Sequence, residues 1–194
     1  MTAFENLQKI IQQRRSVKPS DLNGEKIDST LIHQLLDLAN WAPTHGRTEP
    51  WRFVVYEDHA VLKFCADHAN LYKENTSVEK FTEAKYEKLF HLGDTVSHII
   101  AVYMKRSEGH TIPHEEEFAA VAASIQNILL GAASLDIAVL WSTGGMTHTP
   151  ALKNYLALSS ADTILGILYM GYTNLEVKDG KRNIPLADKV EWHS

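Results

Sequence analysis

The stretch from Trp41 to Tyr56, WAPTHGRTEPWRFVVY, constrains this chain most, because it joins a helix end, a stiff turn and a strand. Pro43 ends the preceding helical pattern, since the proline ring and its missing N–H prevent continuation. After Pro50, the aromatic and β-branched residues predict a strand. The polar loop between the prolines suits either the binding of a polar ligand or an ordinary helix-to-strand connection.

Apolar periodicity and capping residues predict the remaining elements. Helices are predicted from Thr2 to about Arg14, from Asp28 or Ser29 up to the proline turn, and over 58–69, 78–92, 113–135 and 149–158. Strands are predicted over 51–56, 96–104, 137–141 and 164–172. Strands separated by helices without a regular βαβ repeat predict an α+β fold with a central sheet, in a single domain spanning 1–194.

Charge and cysteine content narrow the function classes. The chain has 194 residues and a formal net charge of −5, which argues against nucleic acid or an anionic membrane as a partner. Cys65 is the only cysteine, so an intramolecular disulfide is excluded. The N-terminus lacks the apolar core of a secretory signal, and the longest nearly apolar run, 163–172, is too short to cross a bilayer. We therefore expect a cytoplasmic protein.

The segment Arg14-Arg15-Ser16-Val17-Lys18 places three cations and a hydroxyl at the end of the first helix. Guanidinium groups bind phosphate in a bidentate manner, so the segment could hold an anionic ligand. A basic last turn also complements the dipole of its own helix. Both interpretations stay open on this motif alone.

Trp141-Ser142-Thr143-Gly144-Gly145 follows a predicted buried strand. Its glycines would let a planar ligand approach the backbone closely, or they form a plain turn. Neither G-x-G-x-x-G nor the phosphate-binding G-x-x-x-x-G-K-[ST] pattern occurs. His110 and His114 are separated by Pro113 and no H-E-x-x-H motif is present, so no metal site is predicted.

Four segments, in this order, resemble motifs of the nitroreductase family of FMN-dependent oxidoreductases, most closely its small bacterial members. Arg14 to Lys18 is similar to the family's R-x-S-x-[KR], and Ala42 to Phe53 to its A-P-x(5)-Q-P-W-x-F. Leu168 to Tyr172 resembles its last core strand, and Arg182 to Leu186 with Trp192 resembles its basic closing segment. Four motifs at suitable separations are more specific than any one of them.

The resemblance implies a nitroreductase-like α+β fold that forms an intertwined homodimer, with one FMN per subunit at the interface. It implies that Arg14 and Ser16 bind near the FMN phosphate and ribityl chain. It also implies that Arg182, with Lys181, completes the phosphate site. No nucleic acid or membrane partner is implied.

By the same resemblance, Lys18, or Arg15, lies near the pyrimidine edge of the flavin, where a fixed cation stabilises the negative charge left by reduction. His45 and Glu49 would reach FMN from the partner subunit, and Trp141-Ser142-Thr143 would pack beside the ring. Glu49 departs from the glutamine usual in the family, and a carboxylate cannot donate as an amide does unless it is protonated.

The implied activity is electron transfer from NAD(P)H, through bound FMN, to an electron-poor acceptor such as a nitroaromatic or a quinone, by a ping-pong mechanism. No side chain is assigned as a catalytic acid or base, because the cofactor carries the chemistry. Two alternatives stay open: a flavin-binding protein of the same fold without turnover, for FMN storage, sensing or breakdown, and an interaction protein without cofactor. The segment 61–93 is the candidate cover of the cleft.

Overall fold

The computed structural model describes residues 1–176 and 178–193. These residues contain six α-helices and four β-strands, joined in several places by short 3-10 turns. In chain order they are α1 (Ala3–Gln13), α2 (Ser29–Ala39), β1 (Trp51–Glu57), α3 (His59–Glu74), α4 (Glu83–Phe90), β2 (His98–Met104), α5 (His114–Ser134), β3 (Ala138–Ser142), α6 (Pro150–Tyr155) and β4 (Thr163–Gly171). The predicted order of helices and strands is confirmed.

The four strands form one sheet with the order β1-β2-β4-β3, in which every neighbouring pair is antiparallel. β2 and β4 lie at its centre and are almost entirely buried, whereas β1 and β3 lie at its edges. This arrangement confirms the predicted α+β class with a central sheet. The register between β2 and β4 shifts at Val102 and Tyr103.

Local sequence signals explain the first two helix starts. Thr2 accepts a hydrogen bond from the Glu5 N–H, and the Glu5 carboxylate accepts one from the Thr2 N–H, which is a capping box. The Asp28 carboxylate accepts from the Thr30 N–H at 2.8 Å, which resolves the choice of cap for α2 in favour of Asp28.

The predicted boundaries between 58 and 92 are partly wrong. α3 continues to Glu74, beyond the predicted end at about 69, and α4 begins at Glu83 rather than at 78. The Tyr72 hydroxyl accepts from the Thr82 N–H at 3.0 Å and donates to the Lys80 carbonyl at 3.2 Å. These contacts hold the connection as a turn, because they use backbone groups that a longer α4 would need for itself.

The core has two layers, one on each face of the sheet. On one face α2 and α5 pack over side chains that include Ile100, Val102 and Leu168. On the other face α3, α4 and α6 pack over the alternate positions, among them Ile99 and Ile167. Successive strand residues point to opposite faces, which is why neighbouring positions enter different layers.

α5 lies between α2 and the sheet, the position expected of a buried axis. Its length and apolar composition would also suit a membrane span, but half of its most apolar window is buried inside the fold, as in the core helix of a globular protein. α1 differs from α5, because none of its residues is buried. Phe4, Leu7 and Ile11 of α1 are 73%, 49% and 45% exposed.

Candidate functional site

The segment Arg14 to Lys18 runs alongside β3. Ser16 forms a parallel bridge with Val139, and the Val17 N–H donates to the Val139 carbonyl at 3.2 Å. The segment is extended, so Arg14 and Lys18 are separated by roughly 13 Å, at about 3.3 Å per residue. The two sequence motifs that the family resemblance links, at 14–18 and 141–143, are therefore neighbours in the fold.

Arg14 is half-buried and lines a cavity of about 720 Å³ beside α1. We call this the α1 cavity, and the cations that line it are Lys9, Arg14, Arg15 and Lys178. Asp136 and Asp179 also line it, so its charge is mixed with an excess of positive groups. An anionic group is the ligand that such a lining favours.

Arg15 uses its guanidinium to hold the chain together. Its Nε donates to the Lys178 carbonyl at 2.8 Å, and Nη1 donates to the carbonyls of Gln12 and Arg14 at 2.6 and 2.8 Å. The guanidinium lies so close to Gly180 that a Cβ there would have to displace it. Arg15 therefore has fewer donors left for a ligand than Arg14 or Lys18.

A second cavity, of about 650 Å³, lies at the other end of the segment; we call it the α4 cavity. Leu89 and Leu92 of the α4 region and Leu140 and Tyr169 of the sheet contribute its apolar surface. Its volume is within the range of sites that bind cofactors and small molecules. The full lining is Lys18, Pro19, Ser20, His68, Lys85, Lys88, Leu89, His91, Leu92, Thr95, Leu140, Ser142, Gly144, Gly145 and Tyr169.

The α4 cavity is positively charged. Three lysines and two histidines line it, and none of the lining residues is acidic. Among the described residues, Lys63 is the one lysine whose ammonium pairs with a carboxylate. Lys18, Lys85 and Lys88 therefore carry charges that no described ion pair neutralises.

The Gly144-Gly145 turn is held against His68. The Met146 N–H donates to His68 Nε2 at 2.8 Å, so this nitrogen is unprotonated. Burial, and secondarily the charge of Lys85, lowers the pKa of His68 to about 4, which keeps the ring neutral. Gly145 has φ +67, and a Cβ there would lie 2.6 Å from His68 Nε2. Glycine is thus required for both the backbone conformation and the close contact.

Trp141, Ser142 and Thr143 do not share one environment. Ser142 lines the α4 cavity, and its Oγ accepts from the Gly144 N–H at 3.3 Å. The Trp141 indole packs with the α2–α5 layer and donates to the Leu165 carbonyl at 3.0 Å. A Cβ at Gly166 would lie 2.2 Å from Trp141 Nε1, so the indole lies directly on β4. Thr143 is exposed.

His45 and Glu49 lie on the exposed loop between the two prolines. The His45 imidazole pairs with the Glu116 carboxylate at the start of α5. Arg47 and Glu49 adopt φ +55 and +43, a left-handed conformation that costs about 1–2 kcal/mol for a residue with a Cβ. Neither His45 nor Glu49 lines the two cavities described above. Their contact with FMN across a dimer interface stays a prediction.

Lys181 and Arg182 belong to the exposed tail, 178–193. Arg182 Nη1 donates to the Lys181 carbonyl at 3.1 Å. The same tail approaches the Arg14 segment through Lys178, whose carbonyl accepts from Arg15. The role of Lys181 and Arg182 in binding phosphate stays a prediction.

Sequence reasoning missed His68, Tyr169 and the two lysines of α4. Lys85 and Lys88 are three positions apart and accompany Leu89 and Leu92, a spacing that indicates a single face of a helix. His68 offered no such signal, because its partner, the Met146 N–H, is distant in sequence. Within the described residues, no group of three or more His, Cys, Asp or Glu is arranged to hold a metal ion.

Comparisons with known proteins identify the family and the fold. The model of the Nitroreductase family matches residues 11–172. The chain is 26% identical over 188 residues to YfhC of Bacillus subtilis, provisionally named a NAD(P)H nitroreductase, covering 94% of this chain and 92% of that protein. It superimposes on a nitroreductase-like protein from Bacillus cereus with TM-score 0.81 and 27% identity, covering 100% of this chain and 98% of the other.

A second solved structure shares the fold at lower identity. It is a nitroreductase homologue from Desulfovibrio desulfuricans that was solved in complex with FMN. The TM-score is 0.70 at 22% identity, covering 97% of this chain and 96% of that one. This likeness supports the fold, including the four-stranded sheet.

Proposed function

Because the chain belongs to the Nitroreductase family, we propose that it is an FMN-dependent oxidoreductase that passes electrons from NAD(P)H to an electron-poor acceptor such as a nitroaromatic or a quinone. The observation that carries the proposal is that Lys18 and Ser142, from two separate motifs, line one cavity with apolar walls. When bound, FMN would supply the redox chemistry between the dinucleotide and the acceptor, and the residues of this chain would hold and orient it.

The residues present fit a flavin. The α4 cavity offers flat apolar surface at Leu140 and Tyr169 and a cation at Lys18. The Gly144-Gly145 turn presents backbone without side chains to the cavity. A larger residue at position 145 is disfavoured, because its Cβ would collide with His68. We assign the phosphate to Arg14, and the support is that Arg14 lines the α1 cavity at the other end of the extended segment.

Lys18 is the group we assign to the pyrimidine edge of the flavin. Arg15, the other candidate, already donates to three backbone carbonyls. Lys18 has no such partner among the described residues and lines the cavity directly. A fixed positive charge at this edge stabilises the reduced ring and thereby favours hydride transfer from NAD(P)H.

The proposed enzyme is a homodimer with FMN at the interface. Support comes from α1, which has no buried residue and exposes Phe4, Leu7 and Ile11, since a monomeric protein rarely leaves a continuous apolar face uncovered. NADH or NADPH is the donor, and the cytoplasmic location expected from the sequence stays a prediction. We also treat 1–194 as one functional domain.

The test is the visible spectrum of the purified protein before and after NADPH or NADH is added without oxygen. We expect a flavin spectrum that bleaches. Lys18→Gln should retain FMN but bleach on the order of 100-fold more slowly, the usual cost of removing one stabilising charge or donor. Lys18→Arg, which keeps the charge, should remain close to the parent.

Two results would count against the proposal. A protein that stays colourless after incubation with FMN would refute the cofactor. A flavin spectrum that neither dinucleotide bleaches would favour the flavin-binding alternative. Arg15→Gln serves as the matched variant: if it slows bleaching and Lys18→Gln does not, the assignment of the pyrimidine edge belongs to Arg15.

A further inference from the structure

The wall of the α4 cavity formed by α4 carries two lysines in addition to Lys18, the cation assigned to the flavin ring. Lys85 and Lys88 lie three residues apart on α4, so their side chains project from the same side of the helix. Both line the cavity into which Lys18 also projects. The chain as a whole has a net charge of −5, so this wall is positively charged on a protein that is negatively charged overall.

Acidic residues near the wall are engaged elsewhere. His91, a cavity residue just beyond the end of α4, pairs with Glu87 at 3.3 Å and with Asp94 at 2.8 Å. Glu87 and Asp94 do not themselves line the cavity. Its lysines therefore act on a ligand without a competing carboxylate among the lining residues.

The two lysines have different surroundings. Lys85 Nζ lies 4.5 Å from the centroid of the Tyr72 ring, a cation–π contact that fixes its position. Lys88 is exposed and has no ion pair with a described residue, so its ammonium is available to a ligand. Leu89, beside it, is buried and anchors this part of the helix against the core.

We propose that the α4 cavity selects substrates that carry a negatively charged group, and that Lys88, with Lys85 beside it, binds that group while the apolar walls hold the rest of the molecule. This inference rests on the proposed function and specifies the substrate class of the same site. The anion is a carboxylate or sulfonate on the electron acceptor, or the 2′-phosphate that distinguishes NADPH from NADH. All three present oxygen anions that an ammonium group binds.

The experiment compares matched substrates in matched variants. The acceptor pair is 4-nitrobenzoate and 4-nitrobenzamide, and the donor pair is NADPH and NADH. For each pair, kcat/KM is measured for the parent, Lys88→Gln, Lys88→Glu and Lys80→Glu. Lys80→Glu makes the same charge change on an exposed residue outside the cavity. Ratios within a pair cancel differences in intrinsic reactivity between variants.

We expect Lys88→Glu to lower the preference for the charged member of one pair by on the order of tenfold, with Lys88→Gln intermediate, since an exposed charge contact is modest and charge reversal replaces attraction with repulsion. Lys80→Glu should leave both ratios within about twofold. High salt should reduce the parent's preference, because exposed charges are screened. The pair that responds identifies whether acceptor or donor carries the anion.

The outcomes separate this inference from the proposed function. Parent protein that binds FMN and bleaches with NAD(P)H, but whose two ratios do not change in Lys88→Glu, overturns the anion inference alone. Equal changes in Lys80→Glu and Lys88→Glu also overturn it, because the effect would then come from overall charge. Parent protein without flavin, or with flavin that does not bleach, overturns both.

Discussion

Removal of the Glu117 carboxylate should strongly destabilise the fold. Glu117 and Arg106 form an ion pair whose side chains are 1% and 9% exposed. Arg106 also donates to the Ile112 carbonyl at 3.0 Å, and the Ser107 N–H donates to Glu117 Oε1 at 3.3 Å. In Glu117→Ala the guanidinium stays buried without its counter-charge and the Ser107 N–H loses its acceptor.

Breaking one partner of a buried pair costs about 3–5 kcal/mol. For a chain of this size each kcal/mol lowers Tm by about 2–4 °C, so a loss of about 6–20 °C is expected. The same change should loosen the loop that carries His45. Ile112 contacts this loop, since a Cβ at Gly46 would lie 3.1 Å from Ile112 Cδ1.

The assay is urea unfolding followed by tryptophan fluorescence, at one protein concentration because any dimer makes the apparent stability depend on concentration. Glu116→Ala is the matched control, since it removes the neighbouring carboxylate of the exposed His45 pair and should cost at most about 1 kcal/mol. The double variant Arg106→Met/Glu117→Leu should recover most of the loss. If Glu117→Ala lowers the free energy of unfolding no more than Glu116→Ala does, the Arg106–Glu117 pair does not stabilise the fold.

Two further predictions concern buried groups of the layer that contains the α4 cavity. Because the pKa of His68 is lowered to about 4 from about 6.5 in the unfolded chain, its contribution to stability is complete above pH 6.5 and is lost as the pH falls towards 4. Between pH 7 and 5 the free energy of unfolding of the parent should fall by about 2 kcal/mol more than that of His68→Gln. Glutamine can accept the Met146 hydrogen bond but does not titrate. Equal decreases for the two proteins in urea unfolding would contradict this prediction. Burial raises the pKa of Cys65 to about 12, so native protein at pH 8 should react with a disulfide reagent only on unfolding. Rapid labelling of one thiol per native chain would refute it.

Some of these features could be predicted because their causes are local. Thr2 and Asp28 cap helices through residues two or three positions away, so the sequence alone reveals them. Acidic residues favour the first turn of a helix because they complement its dipole, and Glu115, Glu116 and Glu117 lie in the first turn of α5. Of these three residues only Glu117 is buried, because Arg106, in the loop after β2, lies against it.

The functional site also combines features that can be predicted from the sequence with features that depend on tertiary contacts. The resemblance assigned the segments around Ser16 and Trp141 to one cofactor, and the structure has Ser16 beside Val139, two residues before Trp141. The composition of the cavity wall depends on how α4 packs against α3, which positions its lysines opposite the sheet residues that line the cavity. The correct start of α4 depends in turn on the Tyr72 hydroxyl, a contact across the α3–α4 connection. No short pattern in the sequence encodes such contacts.

β3 is an edge strand, and the segment from Arg14 to Lys18 lies against part of its free side. Uncovered strand edges offer unpaired N–H and C=O groups on which other molecules aggregate. The Val17 N–H occupies one of these groups by bonding to Val139. The stretch assigned to ligand binding therefore also covers part of a strand edge that could otherwise pair with the strands of other molecules, and substitutions that change affinity there are constrained by aggregation as well as by binding.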